Sequence, residues 1–435
     1  MICDLYEKYR ACGCRVSTDS RSLIGGEMFF ALKGENFNGN AYARKALEAG
    51  AAWAVVDEDV CQGDPRAIRV ENSYETLKQL AVYHRNNVLG GKHLPVIGLT
   101  GTNGKTTTKE LIRAVLAAKY RVCATEGNLN NDIGVPLSLL KITPDTEIAV
   151  IEMGASHPDD IRKLVRISRP DCGLITNVGM GHLLGFGSFE GVKEAKCALY
   201  DYISEVEGGF IFLNADDPVL SEMAASRKFK EIRTYGVSAQ GAVVLPSTPR
   251  EPFVRIQLGD TVVKSKLIGA YNATNILAAL AVAEAFDVPF ADAVSAIEAY
   301  TPSNNRSQMM LTDRNSVIVD AYNANPSSMA AALAHFSNAQ APVKWALLGD
   351  MGELGDYSVA EHEKILAAIP YDVQACLVGE EFGKAYAAVG SPASAMLFGT
   401  SDELVGYLHE HPLSGALVLV KGSRFMRMEK VLQEL

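Results

Sequence analysis

The stretch Gly98-Leu99-Thr100-Gly101-Thr102-Asn103-Gly104-Lys105-Thr106-Thr107-Thr108 constrains this chain more than any other. It follows a short apolar run, residues 96–100, and leads into residues 109–118, which have helical periodicity. A glycine-rich turn between a strand and a helix brings backbone N–H groups onto a phosphate, and the helix N-terminus adds partial positive charge. The spacing departs from G-x-x-x-x-G-K-[ST], because Leu99 stands where the first glycine belongs, yet Lys105 and Thr106 keep their places where the helix opens. Gly101, Thr102, Asn103, Gly104 and Thr107 are therefore candidate phosphate contacts. Lys105 is the candidate cation for the β- and γ-phosphates, and Thr106 the candidate hydroxyl ligand of Mg²⁺. ATP and Mg²⁺ are the expected cofactors. Switches, motors and transport ATPases share such loops, so the rest of the chain must decide what the nucleotide is used for.

A length of 435 residues suggests about three domains. A net charge of −10 argues against a nucleic-acid partner, which usually needs a basic stripe. Residues 1–10 carry Asp4, Glu7, Lys8 and Arg10 with no apolar core of a secretory signal, and no stretch approaches the roughly 18 apolar residues of a membrane span. A cytoplasmic protein with no membrane partner is expected, most simply a monomer. The eight cysteines are scattered, with Cys12 and Cys14 the only close pair, which reads as reduced thiols.

Three regions differ in texture. Up to about Gly91 the chain holds short apolar strings, 28–32 and 52–56, and an amphipathic stretch, 74–88. From Val96 strand and helix patterns alternate, with buried strands expected at 96–100, 147–152, 173–177 and 209–213. Residues 253–258 and 261–263 flank Gly259-Asp260 as a hairpin would, and an Ala-rich helix is expected over 275–286. A polar break over 300–307 precedes a second alternating unit with strands at 317–319, 345–348, 375–378 and 416–420. The expected fold is α/β in three domains: a small N-terminal α/β domain (1–92), a central P-loop ATPase sheet with helices on both faces (93–301), and a C-terminal Rossmann-like domain (302–435).

The loop from Thr100 to Lys109 resembles the ATP loop of the muramyl ligases, a family that includes folylpolyglutamate synthases. The resemblance runs through nearly the whole chain, in family order: Thr125-Glu-Gly-Asn-Leu-Asn-Asn-Asp-Ile-Gly-Val-Pro-Leu137, Glu152-Met-Gly-Ala-Ser156, Thr176-Asn-Val-Gly-Met-Gly-His182, Ala195-Lys196 and Tyr271-Asn-Ala-Thr-Asn275. Asp320-Ala-Tyr-Asn-Ala-Asn-Pro326, Gly349-Asp-Met-Gly-Glu-Leu-Gly355 and Lys421-Gly-Ser-Arg424 are most similar to the D-alanyl-D-alanine-adding branch. The resemblance implies an ADP-forming amide ligase that takes a UDP-muramyl-tripeptide and D-Ala-D-Ala through an acyl phosphate. Holding a carboxylate against a γ-phosphate costs about 4 kcal/mol at ~4 Å and an effective dielectric near 20, so metal and cationic side chains must offset it.

The resemblance also assigns roles. Glu152 and His182 would serve Mg²⁺, and Lys196 would add CO₂ to become a metal-binding carbamate. In this chain Cys197-Ala198 follow Lys196, where the family often has Gly-Glu. Thr125, Asn128, Asn130 and Asn131 would contact phosphates and the carboxylate substrate. Asn275 resembles the adenine contact, with a helix N-cap as its other reading. Arg306, in the interdomain break, would reach the γ-phosphate on closure, Asp320 would bind the ribose, and Asn323 and Asn325 would shape the amine-substrate site. Lys421 to Arg424 would hold the dipeptide carboxylate. Ser17, Thr18, Ser20 and Arg21 look like the UDP-sugar region, where Asn38-Gly39-Asn40 replaces the Asp-Gly-His of many relatives. Two rival readings are another ligase of the same family, adding a single amino acid to a muramyl precursor or glutamate to folate, and a P-loop regulator that binds without ligating. A nucleotide-driven transporter subunit lacks a membrane segment.

Overall fold

The computed structural model describes residues 2–34, 36–248, 251–303, 305–389 and 395–435, so Asn304 of the polar break lies outside it. The chain forms two compact units. One comprises Met1–Leu99, Tyr120–Gly154 and Asp160–Gly173; the other comprises Thr100–Lys119, Ala155–Asp159 and Leu174–Leu435.

In the first unit, short apolar runs form an all-parallel sheet in the order Val16–Ser17, Met28–Phe30, Trp53–Val56, Ala67–Arg69. Phe29, Ala54 and Val56 share a core with Ala43, Ala46 and Leu47 of the helix Ala43–Glu48. The amphipathic stretch is the helix Ser73–Asn87, begun where the Asn72 side chain accepts the Glu75 N–H and burying Leu77, Leu80, Ala81 and His84. The same unit holds three parallel strands in the order Val96–Thr100, Ile148–Glu152, Val122–Ala124. Every residue of Ile148–Glu152 is buried, as in a sheet covered on both faces, and this encloses the Glu152 carboxylate completely.

The second unit holds the parallel strands Glu231–Tyr235 and Phe210–Asn214. The expected hairpin is present as Arg255–Leu258 and Thr261–Lys264, joined by Ala242–Leu245 in an antiparallel sheet. Two helices start earlier than expected, at Lys105 (Lys105–Ala117) and at Asn272 (Asn272–Ala285). Their polar first turns carry no apolar period, so the pattern becomes visible only a turn later.

The last region is a six-stranded sheet in the order Gln308–Leu311, Ser316–Asp320, Leu417–Lys421, Lys344–Gly349, Gln374–Val378, Ala395–Phe398. Gln308–Leu311 runs antiparallel at one edge, which the sequence pattern did not lead us to expect; the other pairings are parallel. Strand alternation sends Val317 and Val319 into one core with Leu404 and Val420. Ile318 goes into the other, with Leu333 and Phe382, so both faces are covered by helices. No described helix is long and apolar enough to cross a membrane, and all eight cysteines are free.

Candidate active site

The loop after Thr100 is built where no side chain fits. Gly101 has φ +152°, and a Cβ there would lie 1.9 Å from Thr176 Oγ1; Gly104 has φ +78°, and its Cβ would lie 2.8 Å from Asn275 Oδ1. Both positions demand glycine, and Gly104 serves as the N-cap of the helix Lys105–Ala117. Around them the Asn103 carbonyl accepts from Thr176 Oγ1 (2.6 Å) and Asn177 Nδ2 (3.0 Å), while Thr102 Oγ1 accepts the Gly179 N–H (2.9 Å). Lys105 Nζ donates to the loop's own carbonyls, Gly101 O at 2.7 Å and Thr102 O at 3.1 Å. Thr106 and Thr107 are buried in the first helical turn.

Asn275 is neither exposed nor an N-cap. It lies one turn into its helix, buried, accepting from Thr108 Oγ1 (3.0 Å) and donating to Asn272 Oδ1 (2.8 Å). Its amide therefore ties the phosphate-loop helix to its neighbour, and the N-cap reading is corrected, because the helix begins at Asn272 after Tyr271. Asn325 does cap a helix, Pro326–Ser337, and its Nδ2 also reaches Asn103 Oδ1 at 2.8 Å. The C-terminal region thus touches the loop through one amide, while Asn323 stands exposed beside it.

Lys196 sits in the helix Phe189–Glu205 and is buried. Burial, then the nearby charge of Lys105, pushes its amine well below the ordinary lysine value. Among the described residues it has no ion-pair partner, and the Phe186 ring, its centroid 6.0 Å from Nζ, is the aromatic face nearest to its charge. His182 holds a left-handed backbone, φ +54°, at the start of Leu183–Phe186, and its Nδ1 lies against the carboxylate of Glu353. The hydrogen bond from His182 holds the Glu353 carboxyl below its usual range. Glu353 was missed as a site residue, although it stands inside the glycine-rich segment Gly349–Gly355 that carried the resemblance.

Asp320 and Lys421 end neighbouring strands at paired positions, and the buried Lys421 ammonium donates to the Asp320 carboxylate and to Asn323 O at 3.4 Å. Asp320 Oδ1 also accepts the Ser307 N–H at 3.3 Å. The two residues hold each other, so this geometry does not support a ribose contact for Asp320 or a dipeptide contact for Lys421. Arg306 lies over the ring of Tyr322, 3.6 Å from its centroid.

In the first unit, Glu152 Oε1 accepts from Asn130 Nδ2 at 2.7 Å, and the Glu152 N–H is held by Thr125 Oγ1 at 3.0 Å. Asn131 Oδ1 accepts the Gly134 N–H at 2.8 Å, and Asn128 is exposed in the same turn. Ser17 Oγ closes a turn on Asp19, with Thr18 and Ser20 half-buried beside it. Arg21 forks onto Asp19, whose carboxyl is drawn down to about 2 by those hydrogen bonds. Such an exposed pair is screened by solvent and held only weakly, so an anionic ligand could take Arg21 from it at small cost. Asn40 is buried and bridges Asn38 and Asp57, which gives the Asn-Gly-Asn variant a structural role.

The glycine cradle fits a nucleotide phosphate. For Mg²⁺, the oxygen donors Thr106 and Glu152 are of the right chemistry. No group of three or more His, Cys, Asp or Glu gathers among the described residues, and Mg²⁺ needs none when phosphates and water complete its shell. An imidazole is a poorer Mg²⁺ ligand than a carboxylate, and His182 has only Nε2 left to offer.

A strand, a left-handed glycine loop and a helix set on parallel sheets define a P-loop α/β protein. The Mur ligase family catalytic domain matches residues 15–91, the Mur ligase middle domain residues 99–283, and the Mur ligase glutamate ligase domain residues 305–424. The chain belongs to the Mur ligase family. It is 34% identical over 433 residues to a UDP-N-acetylmuramoyl-tripeptide--D-alanyl-D-alanine ligase of Bacillus subtilis (strain 168), covering 97% of this chain and 92% of that protein. Among solved structures, MurF from Acinetobacter baumannii superposes with a TM-score of 0.85 at 31% identity, covering 97% of this chain and 93% of that one. MurF ligase from Thermotoga maritima in complex with ADP gives 0.81 at 28% identity, covering 97% and 96%.

Proposed function

We propose that this chain is an ATP-dependent, ADP-forming ligase that joins D-alanyl-D-alanine to a UDP-N-acetylmuramoyl-tripeptide in cytoplasmic peptidoglycan precursor synthesis. The observation that carries the reading is the phosphate cradle of Gly101 and Gly104 with Lys105 folded into it, near enough to the buried amine of Lys196 to depress it. The reading keeps the division into a UDP-substrate domain (1–92), an ATPase domain (93–301) and an amine-substrate domain (302–435), acting as a monomer on small molecules.

In this mechanism Lys105 leaves its loop carbonyls for the β- and γ-phosphates, which the loop N–H groups also receive. The tripeptide carboxylate attacks the γ-phosphorus, and ADP leaves. The dipeptide amine then attacks the acyl phosphate, losing a proton and expelling phosphate. Arg306 offsets the charge on the transferred group, and Asn325, bonded to Asn103, links the amine-binding region to the loop. Thr106 would offer its hydroxyl to Mg²⁺, which when bound would neutralise phosphate charge. Neutral Lys196 has the lone pair to add to CO₂, losing a proton to become a carbamate, an anion that the ammonium form cannot supply. Thr125 and Asn130 orient Glu152, and Ser17, Thr18, Ser20 and Arg21 take the UDP end.

The test is ADP release by the purified protein with Mg-ATP and UDP-muramyl-tripeptide, with and without D-Ala-D-Ala, following product mass. Dipeptide-dependent ADP release and a product heavier by the condensed dipeptide support the reading. Turnover with single amino acids on shorter precursors moves the chain to a sibling ligase, and nucleotide binding without any amide product sinks ligation.

A further inference from the structure

One short turn is held by two hydroxyls from separate parts of the chain. In the turn over 177–182, which ends at His182, the Gly179 N–H goes to Thr102 Oγ1 of the phosphate loop at 2.9 Å. The next amide, the Met180 N–H, goes to Ser327 Oγ at 3.2 Å. Ser327 stands in the first turn of the helix Pro326–Ser337, two residues after the cap Asn325 that reaches Asn103. Neither Gly179 nor Gly181 holds a positive φ, so neither position needs glycine for its backbone. What excludes a side chain is the neighbour. A Cβ at Gly179 would lie 2.6 Å from Ser327 Oγ, and one at Gly181 would lie 2.9 Å from Thr102 Cγ2 and 3.4 Å from Asn325 Nδ2. The turn is reduced to backbone so that both the phosphate loop and the start of the C-terminal helix can pack against it.

We propose that Ser327 is a positioning residue that keeps the amine-binding region in register with the phosphate loop through the Gly179–Met180 backbone, and so decides whether the acyl phosphate meets the amine or water. This deepens the ligase reading and rests on it. The attacking nitrogen must stand about 3–3.5 Å from the acyl carbon, and a displacement of about 1 Å can cost 10²-fold. Water has no such register to keep. When its oxygen bonds to the acyl carbon, phosphate leaves with the electron pair, the tripeptide carboxylate is returned with water's protons released, and ATP has been spent without an amide.

The test follows ADP and amide together in the full-length protein with Mg-ATP, UDP-muramyl-tripeptide and D-Ala-D-Ala. Wild type should form an amide with each ADP released. Ser327→Ala removes only the hydroxyl and should slow amide formation about 2- to 10-fold, the worth of one neutral hydrogen bond, with ADP release falling less. Gly179→Ala sets a methyl group against Ser327 Oγ and should uncouple the two products further. Adding Ser327→Gly clears that space, so the double variant should return to the level of Ser327→Ala. A turn merely weakened by the alanine would not be restored by a change in another segment. Hydrogen exchange of the Met180 amide should be faster in Ser327→Ala than in wild type, a readout that needs no turnover. Equal exchange overturns this inference alone, as do ADP and amide that fall together in every variant, or a double variant no better than Gly179→Ala. A wild type that forms no amide overturns the ligase reading and this inference with it.

Discussion

Glu353 and His182 meet carboxylate to imidazole, and both residues hold a left-handed backbone, φ +61° and +54°. The Leu184 N–H donates to Glu353 O at 3.0 Å, and the Tyr357 hydroxyl to Gly187 O at 3.4 Å, so the segments carrying the pair are bound by more than one contact. A left-handed conformation costs a non-glycine residue about 1–2 kcal/mol, and here it places a carboxylate against the ring nitrogen that fixes the imidazole's orientation.

If His182 offers its remaining ring nitrogen to the site as the resemblance implies, Glu353→Ala should lower kcat by about 10- to 100-fold, the usual effect of removing a partner that orients a functional histidine. Glu353→Gly should lose as much activity while being more stable than the alanine variant by about 1 kcal/mol, because glycine accepts φ +61° freely. Steady-state rates and unfolding midpoints decide it. Full activity in Glu353→Ala would mean that the carboxylate does not position His182.

Gly104→Ala confronts two penalties at once: a left-handed backbone, and a methyl group 2.8 Å from Asn275 Oδ1. A loss of about 1–3 kcal/mol of stability is expected, with weaker ADP binding by calorimetry. Adding Asn275→Ala frees the space but not the backbone and abolishes the Thr108 bond. The double variant should thus regain little, and full recovery would show that crowding alone mattered.

The pair formed by Lys421 and Asp320 is predicted to be structural. Lys421→Met leaves the Asp320 carboxylate without its counter-charge and should cost about 3–5 kcal/mol, whereas Lys421→Met with Asp320→Leu should recover most of that. Denaturant midpoints of the two single variants and the double variant form the cycle. Equal losses in the Lys421→Met single and the double variant would show that the charges are not coupled.

Motifs set by backbone chemistry were legible in the sequence. Gly101, Gly104 and Lys105 announce a phosphate loop because glycine and a helix-start lysine have few other reasons to stand at that spacing. The hairpin at Gly259-Asp260 was legible for the same reason. Partners brought together from distant segments were not. Nothing near Asn275 in sequence points to Thr108, nothing near His182 to Glu353, and nothing near Asp320 to Lys421, since each pairing depends on which strands become neighbours. The antiparallel edge strand Gln308–Leu311 escaped notice because three half-buried residues followed by an exposed leucine show no clean alternation.

Lys196 separates function from stability most sharply. A buried lysine pushed well below its ordinary value opposes folding whenever it carries a proton. Below its folded value, both the folded and unfolded chains hold that proton and the penalty is complete. Between that value and the ordinary 10.5 only the unfolded chain binds it, so stability rises with pH across this window and levels off above it. Lys196→Met removes the penalty. The variant should unfold at a higher temperature than wild type near neutral pH, and the difference should shrink as pH approaches 10.5. Its ligation rate should nevertheless fall by about 10² to 10³, the scale of losing one group that stabilises transition-state charge. Unfolding midpoints across the pH range, with ADP release at one pH, test both halves. A methionine variant less stable than wild type at neutral pH would show that the lysine is held by contacts that favour its charge, and a variant that still turns over at the wild-type rate would remove Lys196 from the chemistry.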